Sequence, residues 1–177
     1  MSNNNNLEIE RKFLIRYPSK EVFDTIPACD RSAIVQTYLE SEPRVTRRVR
    51  MRRYAEGTKY YKTEKIRRTS LTCDEFEGEI SEKEYMELLL TADKSRRPVE
   101  KERLLMRSGE HVFEIDIYPF WSDRAIMEVE LSSEEEPFTF PAGIEVIKEV
   151  SGDKRRFEAK KIDVKALLKR LFRERRS

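Results

Sequence analysis

Apolar and polar positions alternate along most of this chain, and a period of two predicts β-strands. In Leu7-Glu8-Ile9-Glu10-Arg11-Lys12-Phe13-Leu14, residues Glu8, Glu10 and Lys12 fall on one face, while Leu7, Ile9 and Phe13 fall on the other. Ile34–Leu39 has strand composition. Val45–Tyr54 puts Arg48, Arg50 and Arg52 on one face and Val49 and Met51 on the other. Glu56-Gly57 is a turn signal, and Lys59–Ile66 returns as a hairpin partner with Tyr61, Thr63 and Lys65 in phase.

Four more segments alternate. Asp74–Ile80 sets Glu75, Glu77 and Glu79 against Phe76 and Ile80, and Val99–Met106 aligns Lys101 with Arg103. Val112–Tyr118 sets Glu114 and Asp116 against Phe113, Ile115 and Ile117. Ala125–Leu131 sets Glu128 and Glu130 against Met127, Val129 and Leu131. Ile144–Val150 is a last short strand or extended segment.

The period changes at three places. Ser19 caps a short helix with Val22, Phe23 and Ile26 on its apolar side, ended by Pro27. Ser81-Glu82-Lys83-Glu84 is a capping box, opening a helix with Tyr85, Met86, Leu88, Leu89 and Leu90 that ends near Asp93. Gly152-Asp153 starts a third, with Phe157, Val164, Leu168 and Leu171 at helical spacing and a basic end at Lys169, Arg170, Arg173, Arg175 and Arg176. The predicted organisation is a frayed tail at residues 1–6, one domain at 7–153, and a helix at 154–177 packing on or near it. The run Ser133-Glu134-Glu135-Glu136 reads as a solvated connector.

Composition changes the picture. Of 177 residues, 40% are charged, yet the net charge is only +2. A nucleic-acid binder carries a clear basic excess, so near-cancellation counts against that partner and suggests that charge faces charge. No apolar run approaches the roughly 18 residues of a membrane span, which counts against a membrane partner. Cys29 and Cys73 match no zinc spacing, so the expectation is a cytoplasmic protein with reduced thiols. His111, the single histidine, counts against Ser-His-Asp chemistry and reads as a surface residue. No glycine-rich phosphate loop is present, so side chains must hold any bound phosphate.

The charges are also sorted by strand. Acids pair at Glu8/Glu10, Glu75/Glu77, Glu114/Asp116 and Glu128/Glu130; bases stand at Lys12, Arg50/Arg52, Lys65 and Lys101/Arg103. Closing such a sheet removes its edges, turns the charged face inward and leaves the apolar face for the helices. The expected fold is α+β: a closed antiparallel β-barrel of about eight strands with a charged, water-filled lumen and helices packed outside. A lumen needing both signs suits a polyphosphate chelated to a divalent metal. Carboxylates bind the hard cation, and Arg and Lys take phosphate oxygens.

Glu8-Ile9-Glu10-Arg11-Lys12 resembles the Glu-x-Glu-x-Lys signature of the CYTH, or triphosphate tunnel metalloenzyme, family. Further pieces fall in that family's order: Gln36-Thr37-Tyr38-Leu39, Arg50-Met51-Arg52, Thr63-Glu64-Lys65, Glu75-Phe76-Glu77, Lys101-Glu102-Arg103, Glu114-Ile115-Asp116 and Glu128-Val129-Glu130. The resemblance spans about Leu7 to Asp153. It departs at Arg156-Phe157-Glu158-Ala159, where many members carry an aromatic followed by a small-polar and asparagine pair. It implies an antiparallel tunnel that binds triphosphates with Mg²⁺ or Mn²⁺. By resemblance and charge, Glu8, Glu10, Glu77, Asp116, Glu128 and Glu130 are the metal ligands. Lys12, Arg50, Arg52, Lys65, Lys101 and Arg103 hold the phosphates. Glu75 or Glu77 positions a water, and Tyr38 meets Lys101 or a phosphate. The function implied first is metal-dependent hydrolysis of inorganic tripolyphosphate or a similar short triphosphate. Class IV adenylate cyclase-like action on ATP and non-catalytic binding of polyphosphate or nucleotide are the alternatives. The family also contains thiamine and RNA triphosphatases. The sequence leaves the oligomeric state open, a homodimer included.

Overall fold

The computed structural model describes residues 7–151. The tail at 1–6 and the helix expected over 154–177 lie outside the described residues. Chain order is β1 (Leu7–Arg16), α1 (Lys20–Thr25), β2 (Arg31–Leu39), β3 (Val45–Tyr54), β4 (Gly57–Arg67) and β5 (Thr72–Ile80). There follow α2 (Glu82–Leu89), β6 (Val99–Ser108), β7 (His111–Ile117), β8 (Arg124–Leu131) and β9 (Val146–Glu149).

Eight strands close into an antiparallel barrel in the order β5-β4-β3-β2-β6-β7-β8-β1, and β1 returns to β5. β1 makes that closure by forking. Leu7–Ile9 pair with β5, while Phe13–Ile15 pair with the added strand β9. Tight turns set two hairpins: Tyr54 pairs with Gly57, and Ser108 with His111. Gly109 in the second turn has φ 59°, a conformation glycine adopts without a Cβ clash.

Both described helices start at their predicted caps. Ser19 Oγ accepts from Val22 N at 3.4 Å, and Ser81 Oγ accepts from Glu84 N at 3.1 Å. α2 is shorter than predicted. Its end tightens into i→i+3 bonds at Leu90, Thr91 and Ala92, and Ala92 then bridges to Leu39 at the end of β2. Leu90, expected on the apolar side, is therefore exposed.

The outward face carries two apolar cores. One lies under α2: Val35, Leu39, Val49 and Met51 pack with Tyr85 and Leu89. The other lies on β1, β6, β7 and β8, where Ile9, Phe13, Ile15, Leu104, Phe113, Ile115, Met127 and Val129 pack with Ile26. Each such side chain contributes about 1.5–3 kcal/mol on burial. Helix covers only part of this second core. Phe138 and Phe140 lie against Phe13 and Phe113, so the stretch after the acidic run is a lid on the core, while Ser133, Glu134 and Glu135 in the run itself are exposed. Glu136 pins the lid: it takes hydrogen bonds from Ser132 and lies 2.9 Å from His111 Nε2. His111 is accordingly part-buried, contrary to the surface reading. Among the described residues, no helix is long and apolar enough to cross a membrane.

Candidate functional site

The inward positions of the strands meet inside the barrel, and cross-strand register decides which charges touch. On the β1–β8 seam, Lys12 Nζ lies 2.6 Å from Glu128 and 3.3 Å from Glu10. Glu130 stands opposite Glu10 and is exposed at the rim. Between β6 and β7, Arg103 forks onto Asp116 at 2.6 and 2.7 Å, bonds Glu114, and reaches Glu128 at 3.2 Å. Lys101 bonds the same Asp116.

Across the barrel, Lys65 Nζ lies 2.5 Å from both Glu8 and Glu75. The Cys73 thiol donates to Glu8 at 2.9 Å. Arg50 bonds Glu77, which also accepts from Thr63 at 2.8 Å. Arg48 is 3.6 Å from Glu75. Arg52 instead donates to Ser32 at 3.0 Å and lies over the Tyr54 ring. Tyr38 carries Arg96 over its ring at 3.3 Å and faces Arg48 across the β2–β3 pair.

The sorted charges therefore neutralise one another between strands, because acid-bearing and base-bearing strands are neighbours. The residual imbalance appears in the titration of individual groups. Burial, with a hydrogen bond shared with Glu75, raises the Glu8 carboxyl to about 7. Burial and the nearby Glu128 charge raise Glu10 as well. Burial beside Arg103 pushes Lys101 down to about 8. Glu128 moves the other way: despite its burial, Lys12 and Arg103 hold it well below the usual carboxylate range. Asp116 is likewise lowered against its burial, by Lys101 and Arg103.

The lumen is not charged throughout, as the alternation suggested. Leu14, Ile126 and Tyr118 continue the inward faces of β1, β8 and β7 and cluster with Val150, Val99, Phe120 and Trp121. One end of the barrel is thus apolar and packed. The predicted site residues converge on the lumen, with Glu130 at its rim and Arg52 turned toward Ser32. Sequence reasoning left out Arg48, Thr63 and Cys73. Their signal was parity, since each falls on the same face as neighbouring residues that were chosen. The oxygens of Glu8 and Glu75 and the Cys73 sulfur lie within 4.8 Å of one another, a spacing that can hold a cation.

No family model and no curated protein matches the chain. Solved structures do. The hypothetical protein NE1496 is 28% identical, with 90% of this chain and 96% of that chain covered and a TM-score of 0.49. The PH1819 protein of Pyrococcus horikoshii OT3 is 20% identical, with 72% and 80% covered and a TM-score of 0.54. HpAC1 from Hippeastrum, a candidate adenylyl cyclase with a dominant triphosphatase activity, is 15% identical, with 71% and 80% covered and a TM-score of 0.48. The Pyrococcus likeness speaks to the fold; the other two, below a TM-score of 0.5, are likenesses only. The closed antiparallel barrel with its inward charged strands is consistent with the CYTH, or triphosphate tunnel metalloenzyme, family that the motifs resemble.

Proposed function

We propose that this protein is a metal-dependent triphosphatase acting on inorganic tripolyphosphate or a similar short linear triphosphate. The observation that carries the reading is the convergence, inside one closed barrel, of Lys12, Arg50, Lys65, Lys101 and Arg103 with Glu8, Glu10, Glu75 and Glu128.

The carboxylates fit a hard divalent cation. Glu8 and Glu10 are both raised because burial leaves them short of positive charge, and a dication relieves that shortage better than a proton. Glu8, Glu10, Glu75 and Glu128 would hold Mg²⁺ or Mn²⁺ through oxygen. Cys73, whose thiol burial and Glu8 push up to about 12, stays protonated and is a poor ligand for a hard ion. When bound, the metal neutralises phosphate charge. Asp116 and Glu77 serve here chiefly to aim Arg103 and Arg50.

The cations orient the triphosphate and stabilise charge that builds on the departing pyrophosphate. Glu75 takes the proton of the attacking water as its oxygen bonds the terminal phosphorus and the bridging P–O bond breaks. Lys101, which burial brings down to about 8 and which is still mainly an ammonium at neutral pH, can give a proton to the leaving oxygen. The apolar end formed by Leu14, Ile126 and Tyr118 shields that region from bulk water. Arg96 covers one ring face of Tyr38, which favours a substrate without a base to stack.

Phosphate release from tripolyphosphate, ATP and thiamine triphosphate with Mg²⁺ and Mn²⁺, read beside cyclic nucleotide formation, tests the proposal. Tripolyphosphate should release phosphate fastest. Cyclic nucleotide as the main product, or tight binding without turnover, would overturn it.

A further inference from the structure

We propose that the chain preceding β1 continues that strand along the open edge of β5, so that residues 2–6 complete the β1–β5 seam and bring Asn4 and Asn6 to the lumen side beside Glu77 and Glu75. The inference concerns the barrel wall and does not rest on the triphosphate reading.

The seam is short. β1 pairs with β8 from Ile9 to Arg16, but with β5 only through Leu7 with Asp74, Glu8 with Cys73 and Ile9 with Thr72. β5 runs on to Ile80, and β4 pairs with it as far as that residue. Among the described residues, no strand pairs with Glu75–Ile80 on the other side. Such an edge is a row of unmet N–H and C=O groups that invites another strand.

Alternation identifies those groups. Glu10 N donates to Leu71 O at 3.1 Å, so Leu71 turns its backbone toward β1. Backbone direction alternates along a strand. Cys73, Glu75, Glu77 and Glu79 therefore turn the same way as Leu71, while Asp74, Phe76 and Gly78 turn toward β4.

The register supplies the partner. Continuing the observed pairing one residue at a time sets Asn6 opposite Glu75, Asn5 opposite Phe76, Asn4 opposite Glu77, Asn3 opposite Gly78 and Ser2 opposite Glu79. Asn6, Asn4 and Ser2 thus meet the three residues whose backbone is open. Strand parity gives Asn6 and Asn4 the inward face of Glu8 and Glu10, where a carboxamide can donate to the carboxylates of Glu75 and Glu77. Residues 2–6 carry no acid, so they meet this acidic edge without repulsion. Asparagine is a poor strand former, which is why composition alone reads these residues as frayed. Here β1 delivers them already in register, and little loop-closure entropy opposes the pairing. A strand from a second copy would pay the larger entropy cost of association.

The test is amide hydrogen exchange by NMR on the full chain, with Asn4→Pro and Asn5→Pro. In the parent, the Glu75 and Glu77 N–H groups should exchange at least about tenfold more slowly than in unstructured chain, the scale of one backbone hydrogen bond. Asn5 Hα should give a cross-peak to Phe76 Hα, the close pair of this antiparallel register. Asn4→Pro removes a donor that faces β5 and should speed Glu77 exchange by about tenfold. Asn5→Pro removes one that faces away and should leave it within about threefold. Phe76 and Gly78, bonded to β4, should keep their rates in both variants and so report an intact barrel. Unprotected Glu75 and Glu77 in the parent overturn the proposal, as does an equal response to the two prolines. Protection that appears only as protein concentration rises gives the edge to a second copy and overturns it too.

Discussion

Lys12 lies opposite Glu128 in the β1–β8 register, and its ammonium reaches that carboxylate at 2.6 Å while keeping Glu10 at 3.3 Å. One cation thus holds two carboxylates from adjacent strands. Removing it by Lys12→Ala leaves Glu128 with Arg103 at 3.2 Å and the more distant charge of Lys101. The variant should stay folded but lose about 1–3 kcal/mol. Tripolyphosphate turnover should fall by at least about tenfold, because a phosphate contact disappears with the charge. Denaturant melts and phosphate-release kinetics measure both; parent-like turnover would remove Lys12 from the site.

The alternation along the chain told which face each side chain takes, but not which strands are neighbours. Closure through β1 and β5 and the β2–β6 pairing join segments far apart in sequence, and nothing local encodes them. Near-cancellation suggested that charge faces charge, but not which charges pair: Lys65 with Glu75, and Arg103 with Asp116, are partners only once register is known. Parity also has no scale of depth. Parity puts Leu14 on the face of Glu10 and Lys12, and Ile126 on that of Glu128, but only the fold shows that they meet and close one end of the lumen. Arg48 was visible in the same run as Arg50 and Arg52. Its unpaired Nε was not, because hydrogen-bond satisfaction exists only in three dimensions.

The pH response follows from Glu8 and Glu75, which exchange a hydrogen bond and share Lys65. The Glu8 carboxyl titrates near 7 in the fold, against 4.5 as its ordinary value, chiefly through burial. Between those values the folded protein holds a proton that the unfolded chain has lost. The stability from this group is therefore present below about 4.5 and is lost as pH rises toward 7. Metal binding has the opposite slope, since a cation must displace that proton. Mg²⁺ affinity should climb between pH 6 and 8, and Glu8→Gln should flatten the climb while weakening binding overall. An unchanged pH profile in Glu8→Gln would assign the titration elsewhere.

The two faces of β1 should respond differently to substitution. Ile9 is buried in the outer core beside Leu131, so Ile9→Asp places a charge beneath that core and should cost about 3–5 kcal/mol. Arg11, on the same face, forks onto Glu149 at 2.9 and 2.6 Å and rests over the Phe13 and Phe138 rings. Arg11→Ala should lower stability by at most about 1 kcal/mol and leave turnover unchanged. Glu10→Gln, on the inward face, should do the reverse. It should keep the fold and cut metal-dependent hydrolysis by about a hundredfold or more, as expected for losing a charged metal ligand. Thermal melts and kinetics on the three variants separate the faces.

Ligand linkage gives the broadest check, because it needs no turnover. In the lumen Lys12, Arg50, Lys65, Lys101 and Arg103 are each paired with a carboxylate, so either component alone must break ion pairs as it binds. Tripolyphosphate competes with Glu75 and Glu8 for Lys65; a divalent metal competes with Lys65 for the same carboxylates. Supplied together, each takes the partners that the other releases. The combination should therefore stabilise the protein more than the sum of the two separate effects. At about 100 times the dissociation constant, a ligand specific to the fold adds about 2.7 kcal/mol. For a chain of this size that corresponds to a rise in Tm of about 5–11 °C. Melts with Mg²⁺ alone, tripolyphosphate alone and both should rank in that sense, with the combined shift the largest and absent from Glu10→Gln. Identical melts in all conditions would mean that the charges inside the barrel are a structural ion-pair network with no triphosphate to hold.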